Sequence, residues 1–282
     1  MKKKWAAVWI AGVLAFSLAG CGKKEAPVQE TEAAQETTEE TRENTAAEQT
    51  EPEEAEFSVT VTDTTEQEER NEEDQLLLTY QYNSVSVTIP GNQEAQDKIN
   101  DFFVQEEVSY QDTIQEYVQF AKEDLEMRGD DPELMESWGG YSVGKEYSIA
   151  RADEKIISVV LDCYEFTGGA HPNSGRVAYT FDAQTGEKLS LEAVVKDLDE
   201  AQSVTTEFLT EQLAEQEQEE GMLFDDYQSY IQDILTDNTW YLDQEGFHII
   251  INEYIVSPHA AGIQEMTMPY GEYDIVKNEY LM

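Results

Sequence analysis

One amphipathic run between two groups of strand-patterned segments limits the fold more than any other feature of this sequence. Its apolar residues recur every three or four positions: Ala95, Ile99, Phe102, Phe103, then Tyr110, Ile114, Tyr117, Val118, Ala121 and Leu125. That period is a helix with one buried face. Asn92 can cap it, just after Pro90-Gly91 stops the strand before it. The spacing drifts across Glu106 to Ser109, which allows a break into two helices there. Before the helix, residues 57–63 and 75–82 read as strands separated by a polar turn, and Val85, Val87 and Ile89 alternate on one face of a third. After it, residues 141–150 and 156–166 form a hairpin, and residues 175–182 form a further strand ending in a turn where Gly186 supplies a positive φ. Residues 191–218 read as mainly helical, as do 225–235, and strands close the chain at 240–243, 247–256 and 264–268. The order strands, helix, strands, helices, strands shows no repeated βαβ alternation, so α+β is expected rather than a wound parallel sheet. The expected architecture is two small modules, 56–166 and 167–282, each a mainly antiparallel sheet packed with helices.

The first 20 residues read as an export signal rather than as part of either module. Lys2, Lys3 and Lys4 precede an uncharged run of 15 residues, Trp5 to Ala19. A spanning helix needs about 20 residues, so the run fits the apolar region of a signal peptide. It ends in Leu18-Ala19-Gly20-Cys21, which resembles the bacterial lipobox. The resemblance implies that Cys21 carries diacylglycerol and becomes the mature N-terminus, anchoring the chain to the outer face of a bacterial cell membrane. Cys163 is then left without a disulfide partner. It sits in the apolar run from Ile156, beside Asp162 and Glu165, where a small core residue is expected rather than a reactive thiolate.

Charge narrows the partners. The chain carries −44, and residues 56–282 alone hold 11 basic and 50 acidic side chains, a net −39. Nucleic acid is excluded as a partner, because affinity there comes from Lys and Arg displacing counterions from phosphates. Residues 21–55 are expected to be a lipidated cysteine followed by a disordered acidic tether, with 11 acidic and 3 basic residues and no apolar period. As an ideal coil its 34 residues from Gly22 would reach roughly 30 Å. The acidity of the folded part reads either as a solvated, self-repelling surface or as complementarity to a basic partner.

The loop Gly168-Gly169-Ala170-His171-Pro172-Asn173 interrupts the strand pattern and carries one of three histidines. Three readings stay open for it. It can be a corner, with glycines permitting the turn, Pro172 stiffening it and Asn173 bonding its own backbone. It can be a binding loop for a ligand or protein. It can also serve catalysis or a metal, since His171 and His259 both follow strands and could meet in space. His248 lies within a strand and reads as structural. No HExxH helix, paired cysteines, Gly-x-Ser-x-Gly elbow or phosphate loop accompanies these histidines, so neither a metal nor a cofactor is expected.

A resemblance gathers these features. Gly168 to Asn173, Tyr179-Thr-Phe-Asp182, Thr185-Gly186 through Leu191, the segment from Trp240 to Phe247, Ser257-Pro-His-Ala-Ala-Gly262 and Met268-Pro-Tyr270 resemble the extracytoplasmic region of RsiV-type anti-sigma factors. The part from Phe57 to Phe166 is similar to the companion domain found there and at the front of PdaC-type peptidoglycan deacetylases. The resemblance implies an envelope-facing α+β module which, in RsiV-type proteins, binds lysozyme. Met1 to Gly20 is too short for a sigma-binding segment plus a spanning helix, so anti-sigma activity is not expected. The resemblance does not extend to the PdaC catalytic domain either. The function expected is therefore non-catalytic binding of a lysozyme-like cationic protein or of peptidoglycan fragments, with His171, Asn173 and His259 as ligand-binding residues. The rival is a cell-wall-polymer hydrolase or metal-dependent enzyme using the loop histidines.

Overall fold

The computed structural model describes residues 56–129 and 131–282; the expected signal segment, the lipidation site Cys21 and the acidic stretch to residue 55 lie outside the described residues. The fold is α+β, built from mostly antiparallel sheets packed with helices. The larger sheet has the order β2 (Thr65–Arg70), β3 (Leu76–Tyr82), β5 (Tyr141–Ala152), β6 (Ile156–Phe166) and β7 (Asn173–Asp182). All its pairs are antiparallel except β3 with β5, which run parallel from Leu78↔Tyr141 to Tyr82↔Lys145. Parallel neighbours need a crossover connection. Here β4 (Val85–Thr88), α1 (Gln93–Arg128) and α2 (Pro132–Glu136) form it.

The helix forms where its period predicts. The Asn92 side chain accepts from the Ala95 N–H at 3.3 Å, and Glu94 sits in the first turn, where the helix dipole favours an acid. Ala95, Ile99, Phe103, Tyr110, Ile114, Val118, Ala121 and Leu125 are all buried, so one stripe runs the full length. There is no break at the drift in spacing. Glu106 and Glu107 stand where core residues are due, and groups from the sheet satisfy the first of them. Lys145 Nζ of β5 donates to the Glu106 carbonyl at 2.8 Å, and Tyr179 Oη of β7 donates to its carboxylate at 3.0 Å. The drift therefore marks a polar layer between two apolar clusters. One lies under Ile99 and Phe103 with Val159 and Phe181, the other under Ile114 and Ala121 with Leu78 and Val143.

Among the described residues β1 (Ser58–Val61) pairs only with β4, in a two-stranded sheet. The free side of β4 is closed by α1 itself. Asn100 accepts from Val87 N–H and donates to Val87 C=O, both at 2.9 Å, and Gln96 accepts from Ile89 N–H at 3.0 Å.

Three sequence expectations need correcting. Residues 65–70, read as a polar turn, form β2, an edge strand with no buried side chain and three glutamates; such edges are protected by charge rather than signalled by alternation. Residues 225–235 form two short 3₁₀ turns, Tyr227–Ser229 and Ile231–Asp233, rather than a helix. Too short to repay helix nucleation, they close on themselves by bonds such as Tyr230 N–H to Tyr227 C=O, and Thr239 Oγ1 takes the Ile234 carbonyl at 2.6 Å. The boundary expected at 166/167 falls inside the large sheet, because β7 pairs with β6 from Ile156↔Asp182 to Glu165↔Asn173.

Beyond β7 come α3 (Leu191–Val194), α4 (Leu198–Glu220) and a three-stranded antiparallel sheet ordered β10 (Gln264–Pro269), β9 (Gly246–Ile251), β8 (Trp240–Leu242). Strand β9 is buried on both faces. Phe247, Ile249 and Ile251 join Leu209 and Leu213 of α4 in one core, whereas Ile250 packs with Tyr241, Val160 and Ala178 between the two sheets. The edge of β7 is also closed: Ala178 N–H donates to Asn238 C=O, and Asn252 brackets Arg176.

Candidate functional site

The bracket at Arg176 positions the site. Strand β9, expected to run to Val256, stops at Ile251 because Asn252 turns its carboxamide onto β7, accepting from Arg176 N–H at 2.7 Å and donating to Arg176 C=O at 2.9 Å. This fastens the start of the 252–263 loop beside the β6–β7 loop, which turns at Gly168 and Gly169 with φ of 94° and 115°. Tyr254 follows at φ 64°, an uncommon backbone for a tyrosine, with its N–H donating to Ser257 C=O at 3.0 Å.

The two loops meet through their histidines. The rings of His171 and His259 stack with centroids 3.8 Å apart and planes 7° from parallel. Tyr254 extends the array, its ring 6.4 Å from His259 and inclined by 19°. His171 Nδ1 faces the Pro172 carbonyl at 2.8 Å and so must donate; its Nε2, 3.3 Å from Tyr254 Oη, is the acceptor when the ring is neutral. His259 Nδ1 lies 2.7 Å from the carboxylate of Glu253, a buried side chain. Each imidazole is thus held in one orientation by a different partner. Asn173 does not join them. Rather than bonding its own backbone, it donates to Glu165 Oε1 at 3.1 Å across the β6–β7 pair, and Tyr117 Oη donates to the other Glu165 oxygen.

This geometry bears on the three readings of the loop. A metal bond lies in the imidazole plane about 2 Å from nitrogen, and two parallel planes stacked at this distance cannot direct lone pairs at one ion. The Glu253–His259 pair has the orientation of a carboxylate-steered base. Among the described residues, no hydroxyl or thiol nucleophile is bonded to it. Cys163 packs against the core cluster under Ile99 and Phe103, and burial pushes its thiol up to about 11.

A second polar cluster, which single-residue reading of His248 did not reveal, lies between the sheets. His248 is stacked on Tyr241 at 4.5 Å, with Nδ1 3.0 Å from Thr267 Oγ1 and Nε2 2.8 Å from Asp243 Oδ1. Tyr241 Oη donates to Glu265 at 2.6 Å, and Arg176 links Glu265 to Asp162. Alternation along β9 could have placed His248 on that face, but not the rest of the cluster, which comes from four other strands and the turn after β8.

Comparison with known proteins matches two successive parts of the chain, separated by most of β7 and the turn after it. Residues 69–174 match the family model described as Deacetylase PdaC, and residues 192–271 match that described as Protein of unknown function (DUF3298). The chain carries a PdaC module followed by a DUF3298 module. His171 falls in the first match and His259 in the second, so the imidazole stack joins the two. The crystal structure of a DUF3298 family member from Bacteroides fragilis is similar, with a TM-score of 0.62 at 16% identity over 79% of this chain and 94% of that one. A DUF3298 family protein from Pseudomonas aeruginosa superposes with a TM-score of 0.50 at 15% identity, over 81% and 98%. Likeness at such identity is one of fold. No curated protein matches the chain.

Proposed function

We propose that this protein is a lipid-anchored component of the bacterial cell envelope that binds a cationic, lysozyme-like protein through the paired loops carrying His171 and His259. The pairing of PdaC and DUF3298 modules is that of an extracytoplasmic, envelope-type protein. The observation that carries the binding reading is the His171–His259 stack, which presents two loops from different modules as one surface with Tyr254 beside it. The net −39 of residues 56–282 favours a basic partner, and Asn173 with Glu165 stiffens the base of the first loop. Cys21 supplies the anchor, and the acidic stretch behind it spaces the folded part from the membrane. Peptidoglycan fragments are the alternative ligand for the same loops.

Electrostatic steering alone would draw any basic protein and fade as the Debye length falls from about 30 Å at 0.01 M salt to about 8 Å at 0.15 M. A built site discriminates. Lysozyme is therefore expected to stay bound at physiological ionic strength where cytochrome c does not, and His171→Ala, Asn173→Ala and His259→Ala to weaken it. Equal binding of both basic proteins, lost together as salt rises, would leave only nonspecific attraction.

The Glu253–His259 pair favours one second reading, a cell-wall hydrolase or deacetylase with His259 as base. On the binding reading the purified chain leaves wall polymer and its acetyl groups intact. Turnover that disappears in His259→Ala would establish the enzyme instead.

A further inference from the structure

We infer that Lys145 is a reactive amine at the floor of a narrow cleft, placed to capture a small aldehyde or ketone covalently as an imine. This goes beyond the loop surface described above and does not depend on it. Lys145 lies in the polar layer of the core, only 5% exposed, in a folded part with 50 acidic side chains. A buried ammonium is normally paired, yet among the described residues no carboxylate forms an ion pair with it. Among the described residues its single side-chain hydrogen bond is to the Glu106 carbonyl, and the rings of Tyr147 and Tyr110 lie 5.0 and 5.5 Å from Nζ. The hydroxyl on the Tyr147 ring is buried and has no hydrogen-bond partner among the described residues.

Lys145 and Tyr147 are among the residues lining one cavity of about 40 Å³ between α1 and the β3–β4 turn, which exposed Val104 and Glu107 also line. About 10–15 Å³ already admits a water, so the space suits a molecule of a few heavy atoms and excludes a wall fragment. Burial pulls the Lys145 ammonium below its ordinary value, outweighing the opposing pull of Glu106, Cys163 and Glu107. A desolvated lysine with a larger neutral fraction is the amine that attacks carbonyls.

The step balances without any further reagent. The Lys145 nitrogen lone pair forms the C–N bond while the carbonyl π pair moves to oxygen, where the Tyr147 hydroxyl can donate. One nitrogen proton passes to that oxygen, giving a carbinolamine. Loss of water leaves the imine. Because capture needs no bond to be cleaved in a polymer, it is compatible with a protein that binds rather than turns over.

The test uses the unmutated chain. It is incubated at pH 7 with glycolaldehyde and cyanoborohydride, which reduces any imine to a stable secondary amine, and each lysine is quantified by peptide mass spectrometry. Lys145 is expected to be labelled at least about tenfold faster than the exposed Lys122 and Lys188 despite its burial. Tyr147→Phe, which keeps the ring and removes the hydroxyl, is expected to slow Lys145 alone. Labelling of Lys145 at or below the rate of the surface lysines would overturn the inference, and an unchanged rate in Tyr147→Phe would remove the role given to that hydroxyl.

Discussion

Asn83, Asn100 and Asn252 each turn a carboxamide toward a strand as if it were a peptide unit. Asn83 accepts from Tyr147 N–H at 2.7 Å and donates to Tyr147 C=O at 3.0 Å, as Asn100 does at Val87 and Asn252 at Arg176. A carboxamide suits this because it carries donor and acceptor side by side; a carboxylate only accepts. Asn83→Asp and Asn252→Asp should therefore each cost about 1–3 kcal/mol, since a partly or fully buried carbonyl loses its donor, measured as a lowered denaturation midpoint with unchanged slope. The His248 cluster predicts a pH dependence. Burial pulls His248 down, but Glu265 and Asp243 together hold it above its ordinary value. The His248 hydrogen bond holds Glu265 below its ordinary value; burial pushes Asp243 up, but His248 and the backbone N–H groups of Glu245 and Gly246 bring it below. The raised histidine stabilises below its unfolded pKa of about 6.5 and loses this as pH rises through the folded value. The carboxylates stabilise above their unfolded values of about 4 and lose this as pH falls. Urea unfolding should show stability falling from pH 6 to pH 8 in the native chain and falling less in His248→Gln.

At the scale of elements, α1 is held at its N-terminus by the turn after β7. Asn92 Nδ2 donates to Gln184 C=O at 2.6 Å, and Lys98 reaches the Thr185 carbonyl and Glu187. Gly186 lets this turn approach, since at φ 72° a Cβ there would lie 2.6 Å from the Ala95 carbonyl oxygen. Gly221, capping α4 at φ 62°, has nothing closer than 4.0 Å. Ala at 221 should cost only the left-handed strain, about 1–2 kcal/mol. Ala at 186 adds a backbone collision and should cost about 2–5 kcal/mol. Thermal unfolding of both variants separates strain from contact, and similar losses would mean that the turn does not clamp the helix.

For the whole molecule, residues 56–282 set 50 acidic side chains against 11 basic ones, so a net −39 remains however the ion pairs form. Self-repulsion should then yield to screening, so the melting temperature is expected to rise between 0.01 M and 0.15 M NaCl, the range over which the Debye length falls from about 30 to 8 Å. The proposed anchor makes a separate prediction. Two acyl chains suffice for stable membrane attachment at about 0.8 kcal/mol per buried methylene, so Cys21→Ser should release the protein from membranes or leave its precursor unprocessed, read by fractionation and lipid labelling. Labelling unchanged in that variant would refute the assignment.

What the sequence determined by itself was whatever depends on near neighbours. The 3.6-residue period of α1, the alternation of β4 and β7, the β5–β6 hairpin and the positive φ at Gly186 are local, because backbone geometry ties them to residues within a turn or a strand. The same locality hid β2, whose Glu66, Glu68 and Glu69 carry no apolar signal, and made 225–235 resemble a helix when Tyr227, Ile231 and Ile234 are buried by two separate turns. Only the tertiary structure decided pairings that depend on distant register. These are β3 beside β5, β7 within the first sheet, Lys145 beneath the drift in α1, and Asn252 on Arg176, which brings His259 onto His171 across 88 positions of chain. A residue's type says which bonds it can make; which partner arrives is set by how the sheets and helix bury their apolar faces together.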